Sequence, residues 1–120
     1  MNNNHTLSRP TESTPLLREQ EALGENALVY AHYFLPGTGA DWYVTEYDPT
    51  EDMIFGWAEI VPECGEWGYT SMSELEQISL PMKIRVGNEI LISKYTMKVE
   101  LDLHWNVRTM REVLAERNSR

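Results

Sequence analysis

No lysine or arginine occurs between Arg18 and Lys83. Residues 19–82 carry thirteen acidic side chains, and His32 is the one candidate counter-charge inside that segment. A phosphate backbone is repelled by such a stretch, so direct nucleic-acid binding is disfavoured and a partner with a basic face is favoured. Net charge of this sign also serves plain solubility. Cysteine is nearly absent: Cys64 stands alone, which excludes an internal disulfide and a multi-cysteine zinc site. No apolar run approaches the roughly 20 residues that span a membrane. Met1-Asn2-Asn3-Asn4-His5 lacks the basic-then-apolar pattern of a secretory signal, so the expected location is cytoplasmic. There is no phosphate-binding glycine loop, and no cofactor is expected.

What is present is aromatic and acidic at once. Ten of the twelve aromatic residues fall in the segment that lacks basic ones. The 120 residues suit one domain, long enough to bury a core without staples. Residues 1–13 are polar and read as a disordered tail, leaving a single domain over 14–120. Thr14-Pro15 reads as an N-cap and first helical position, with Leu16, Leu17 and Leu23 as an apolar stripe and Gly24 as the stop. From Ala27 the period changes to two, with Val29, Ala31, Tyr33 and Leu35 on one face. Strands follow over Trp42–Asp48, Met53–Val61 and Trp67–Thr70, joined by short turns that favour an antiparallel meander. Ser71 with Glu74, or Ser73 with Glu76, opens a short helix before Pro81. Gly87-Asn88 marks a hairpin between Met82–Val86 and Glu89–Ile92. Met97, Val99, Leu101 and Leu103 alternate along a further strand over Thr96–Trp105. Thr109 and Glu112 form a capping box for a last helix, whose C-terminus Arg117 and Arg120 complement. The expected fold is α+β: a small antiparallel sheet, in meander order, with two or three short helices packed on it.

Candidate chemistry is sparse. In a strand, Glu100, Asp102 and His104 would share one face, as would Glu46 and Asp48 in another. If those strands were neighbours, the five side chains would converge on a divalent cation and support phosphodiester hydrolysis. A solvated outer face of the sheet explains the same pattern. His32, set among aromatics, reads as a hydrogen-bonded structural histidine. The aromatic residues cannot all point inward, because neighbours such as Trp42 and Tyr43 face opposite sides of a strand. Either helices cover both faces, or one aromatic face meets a partner.

Four pieces read together: Trp42-Tyr43-Val44-Thr45-Glu46-Tyr47-Asp48-Pro49, Ile54-Phe55-Gly56, Gly68-Tyr69-Thr70-Ser71-Met72-Ser73-Glu74-Leu75-Glu76 and Glu100-Leu101-Asp102-Leu103-His104-Trp105. In order and wording they resemble a family of small bacterial proteins of unknown function, common on plasmids, phages and other mobile elements. The resemblance covers roughly residues 27–105. The chain departs from the family's pattern at residues 62–67 and in the hairpin at 83–97. The resemblance implies an origin on a mobile element, and a cytoplasm that is bacterial or a host cell's. It supplies no catalytic residues.

The expected function is therefore a non-enzymatic acidic binding protein that engages a basic protein surface. Its sharpest form is an inhibitor of a host nucleic-acid-handling or defence complex, with carboxylates in place of phosphates. The expected binding residues are Glu46, Asp48, Glu51, Asp52, Glu59, Glu63 and Glu66, with Trp42, Tyr43, Trp57 and Trp67. The alternatives are the metal-dependent hydrolase above and a structural or regulatory homodimer.

Overall fold

The structure, a computed structural model, describes residues 6–119. Residues 1–5 of the expected tail, and Arg120 of the expected last helical turn, lie outside that range. The period-two stretch after Ala27 divides at Tyr30 into β1 (Leu28–Val29) and β2 (Ala31–Phe34). Next come β3 (Asp41–Asp48), β4 (Met53–Glu59) and β5 (Glu66–Ser71), then a short helix α1 (Met72–Gln77). A long hairpin, β6 (Ser79–Val86) and β7 (Glu89–Lys98), is followed by β8 (Glu100–Leu101), β9 (Arg108–Thr109) and α2 (Met110–Asn118). The main sheet is antiparallel in the order β5-β4-β3-β2-β8, so the expected meander forms and β8 returns to its far edge beside β2.

Burial explains why the strands alternate as they do. One face of the sheet packs Ala31, Tyr33, Trp42, Val44 and Ile54 against Met72 and Leu75 of α1. The other face packs Val29 and Tyr43 against Met110 and Val113 of α2, with Trp57, Trp67 and Trp105 alongside. Adjacent residues Trp42 and Tyr43 thus enter different cores, and helices cover both faces. Both helices start as expected. The Ser71 hydroxyl accepts from the Glu74 N–H at 3.3 Å, and Thr109 with Glu112 completes a capping box. The β3 and β4 backbones approach so closely at Gly56 that a Cβ there would lie 1.8 Å from the Tyr43 carbonyl oxygen, which only glycine permits. Gly87, at φ +61°, takes the left-handed conformation that the tight hairpin turn requires.

Three expectations are corrected. The segment after Thr14 does not form an α-helix: turns lead into a 3-10 helix over Glu21–Asn26, broken by Gly24 at φ 53°. The cause is Glu46, whose carboxylate accepts from the Arg18 and Gln20 N–H groups at 2.7 and 2.8 Å and so holds that backbone in a non-helical path. Residues 6–13 are laid onto the domain: Leu7 is 3% exposed in the α1-side core, and Arg9 is held by Asp52 and Glu76. The strand expected to reach Trp105 ends at Leu101, because the Asp102 side chain is drawn to His32 and Leu103 turns outward, 83% exposed.

Candidate functional site

The densest polar cluster lies on the α2 side of the sheet. Asp41 and Glu59 are direct cross-strand partners at the ends of β3 and β4. Two like charges so placed repel unless a cation joins them. Arg117 supplies it from the last turn of α2: its guanidinium pairs with Asp41, and its Nε donates to Glu59 Oε2 at 2.7 Å. It also donates to the Tyr43 hydroxyl at 2.8 Å and to the Gly39 carbonyl at 3.2 Å. His32, across from Tyr43 in β2, stacks on its ring at 4.8 Å. The His32 Nε2 faces Asp41 Oδ1 at 2.7 Å, and its Nδ1 faces Asp102 Oδ2 at 2.9 Å. Both contacts are hydrogen bonds together only when both ring nitrogens carry a proton.

Burial works against the charged form of these carboxylates, but their partners prevail. Asp41 is held below the usual carboxylate range by hydrogen bonds from His32 and Arg117. Glu59 is lowered by Arg117, the Glu63 N–H and the Trp57 indole. Asp102 is lowered by His32 and the His104 N–H. Burial disfavours the Arg117 cation, yet Asp41 and Glu59 raise it further above its ordinary value. Beside the cluster a cleft of about 440 Å³ opens between His32, Asp102, Trp105 and Arg108. There Arg108 lies 4.1 Å over the Trp105 ring and forks onto Glu116 at 2.7 and 2.8 Å. A histidine with both nitrogens on carboxylates is not free to act as a base or ligand. The cluster locks α2 and the 102–105 turn onto the sheet, which agrees with a structural His32.

The residues expected to hold a metal do not converge. Strand β2 separates β8 from β3. Glu100 is exposed, Asp102 is on His32, and His104 sits in the turn, its N–H on Asp102 Oδ1 at 2.9 Å. Glu46 is bound to backbone at 18–20, while Asp48 accepts from the Thr50 N–H in its own turn. No group of three or more His, Cys, Asp or Glu suited to a metal ion occurs among the described residues.

The expected partner-binding residues separate into two sets. Trp42 and Tyr43 are core residues and Glu46 is buried, so none of the three is the exposed partner-binding residue that was expected. Glu59 belongs to Arg117. Asp52 accepts from Arg9 at 2.8 and 3.0 Å and from the Tyr47 hydroxyl at 2.7 Å. The basic residues missing from the central segment thus fold back from both ends: Arg9 onto Asp52 and Glu76, Arg117 onto Asp41 and Glu59. Glu51, Glu63 and Glu66 remain exposed, while Trp57 and Trp67 are half-buried.

One surface feature joins aromatics to acid. Strand β5 is the open edge of the sheet. Along β4 and β5 the rings form a ladder: Trp57 to Trp67 at 5.6 Å, Trp67 to Phe55 at 5.8 Å, Phe55 to Tyr69 at 4.9 Å. Tyr69 is 59% exposed. A groove of about 320 Å³ runs between this ladder and the 3-10 helix, with Phe55 and Trp67 on one side, Glu21 and Gly24 on the other, and Thr45 and Glu46 in its lining. Glu46 is 3% exposed, and no ion pair reaches it among the described residues. Phe55 and Tyr69 are not among the expected binding residues, and their alternation with Trp57 and Trp67 along the two strands is the sequence signal for the ladder.

The family described as "Protein of unknown function (DUF2958)" matches residues 15–111, which take in every strand of the fold and the start of α2. The chain belongs to this family. Arg9 and Arg117, the two cations that bind the sheet's carboxylates from the chain ends, fall outside the matched span. No curated protein and no solved structure matches the chain. No helix among the described residues is long and apolar enough to cross a membrane.

Proposed function

We propose that this chain is a non-enzymatic binding protein that engages a basic protein surface, and that arginine side chains of the partner enter the groove beside β5. The observation that carries this reading is Glu46: a buried carboxylate that no cation pairs with among the described residues, in a groove walled by Phe55 and Trp67. A guanidinium is planar, stacks on aromatic faces and is more weakly hydrated than an ammonium, so it suits a narrow aromatic groove with acid at its base. Each Glu46 oxygen accepts one backbone N–H and keeps a lone pair for an incoming donor. Glu21 at the groove, with the net charge of −9, supplies longer-range attraction.

In its sharper form, the protein comes from a bacterial mobile element or phage, works in the cytoplasm and inhibits a host nucleic-acid-handling or defence complex. A surface that holds a phosphate backbone uses Arg and Lys side chains, and arginine forks onto carboxylates as it does onto phosphates. The test is a titration of an arginine-rich peptide, and of its lysine counterpart, followed by tryptophan fluorescence. The arginine peptide binds more tightly, binding weakens as salt shortens the screening length below about 8 Å, and Glu21→Gln with Tyr69→Ala weakens it further. Equal affinity for both peptides, or binding indifferent to salt and to these changes, rejects the reading.

A further inference from the structure

The main sheet ends on one side in β8, two residues long, and on the other in β5, six residues long. Strand β5 pairs with β4 through six successive residues without a bulge. It carries no proline and no lysine, residues that commonly blunt an open edge. The ladder fixes which of its backbone groups face outward. The Met72 N–H donates to the Asp52 carbonyl at 3.0 Å, one step beyond the Met53–Ser71 pair. The Thr45 hydroxyl donates to the Phe55 carbonyl at 3.2 Å, so Phe55 turns its backbone toward β3 and away from its partner Tyr69. Direction alternates along an antiparallel ladder. Glu66, Gly68 and Thr70 therefore turn their backbone groups to β4, while Trp67 and Tyr69 point theirs off the edge. Among the described residues no hydrogen bond takes those outward groups.

We infer that the basic partner binds as an added strand, antiparallel on β5, through a segment of the order Arg-x-Arg-Lys. This rests on the groove reading for the partner's chemistry and adds how its backbone is held. The first arginine lies opposite Tyr69 and the second opposite Trp67, and each exchanges both backbone hydrogen bonds with its opposite number. Side chains so paired share a face, with Cβ atoms about 5 Å apart. Each guanidinium thus comes within the roughly 6 Å at which it stacks on a ring. Trp67 is also a wall of the groove, so the second arginine stands at its mouth. The residue between them lies opposite Gly68 on the other face, where a Cβ on Gly68 would meet nothing within 4 Å, and its identity is free. The lysine lies opposite Glu66, an exposed acid on that same face. Charge selects this occupant over a second copy. Residues 19–82 hold thirteen acids and no lysine or arginine, so edge-to-edge pairing of two copies brings acid to acid, whereas a basic strand is attracted.

Backbone methylation of the peptide tests this on the full, unaltered chain. The probe is a short peptide centred on Arg-Ser-Arg-Lys, followed by tryptophan fluorescence. N-methylation of both arginines blocks the two amides that face β5 and weakens binding at least about 10-fold. N-methylation of the serine, whose amide points to solvent, leaves the affinity within about twofold. In the saturated complex, hydrogen exchange at the Trp67 and Tyr69 amides slows at least about 10-fold. Equal binding of the two methylated peptides, or unchanged exchange at Trp67 and Tyr69, overturns the added strand. The groove reading survives that result if arginine is still preferred over lysine. A lysine peptide that binds as well, with the methylation pattern kept, removes the groove reading and supports the strand. Protection of the two amides that grows with protein concentration in the absence of peptide, the mark of a second copy on the edge, overturns the inference. So does a failure of the unmethylated peptide to bind.

Discussion

Replacing Arg117 by methionine keeps much of the side-chain stem and removes the guanidinium that joins α2 to β3 and β4. The structure sets the scale of the loss. Arg117, Asp41 and Glu59 side chains are 10%, 13% and 10% exposed, so water compensates little when the cation goes. Asp41 and Glu59 then face each other across the strand pair, with only His32 left on Asp41. Breaking a buried pair by removing one partner costs about 3–5 kcal/mol. That is a large part of the roughly 5–15 kcal/mol that holds a domain together. Urea unfolding of wild type and Arg117→Met, at equal slope, measures it. Glu59→Gln in the Arg117→Met background relieves the repulsion and recovers part of the loss, so the two changes are not additive. A loss below about 1 kcal/mol, the scale of an exposed ion pair, refutes the view that this cluster locks the helix to the sheet.

Two further predictions follow from the same packing. Asp41, Asp52, Glu59 and Asp102 are all held below the ordinary carboxylate range in the folded protein. Their stabilisation is full above the unfolded carboxylate pKa of about 4 and is lost as pH falls through the lower folded values. The urea midpoint therefore changes little between about pH 7 and 5 and drops below about pH 4; a midpoint that rises on acidification contradicts the pairing. Leu7→Ala at the buried N-terminal segment costs about 2–3 kcal/mol in the same assay, and a loss under about 0.5 kcal/mol shows that the segment is not part of the core.

Local signals were legible and distant ones were not. The Ser71–Glu74 and Thr109–Glu112 caps, the Gly87-Asn88 turn and the alternation of Ala31, Tyr33 and Leu35 each depend on residues a few positions apart. The α+β class and the meander follow from them. The misread pieces are all governed by long-range partners. Glu46 takes the backbone of Arg18 and Gln20 out of a helix from 28 and 26 positions away. His32 takes Asp102 out of a strand from 70 positions away. Arg117 claims Asp41 and Glu59 from α2, 76 and 58 positions away. Alternation in Glu100-Leu101-Asp102-Leu103-His104 shows which side chains would share a strand face, but not where the strand stops or which strand lies beside it. The acidic segment looked unbalanced because its cations sit at the chain ends. The groove emerged only when β5 was placed at the sheet edge, opposite the 3-10 helix.

Mapping amide and indole NMR shifts during titration with an arginine-rich peptide tests the binding claim most directly. The account predicts perturbations centred on Thr45, Glu46, Phe55, Tyr69 and the Trp67 indole, saturating together with one affinity. Shifts confined to scattered exposed carboxylates such as Glu51 and Glu63, with the groove residues unmoved, contradict it.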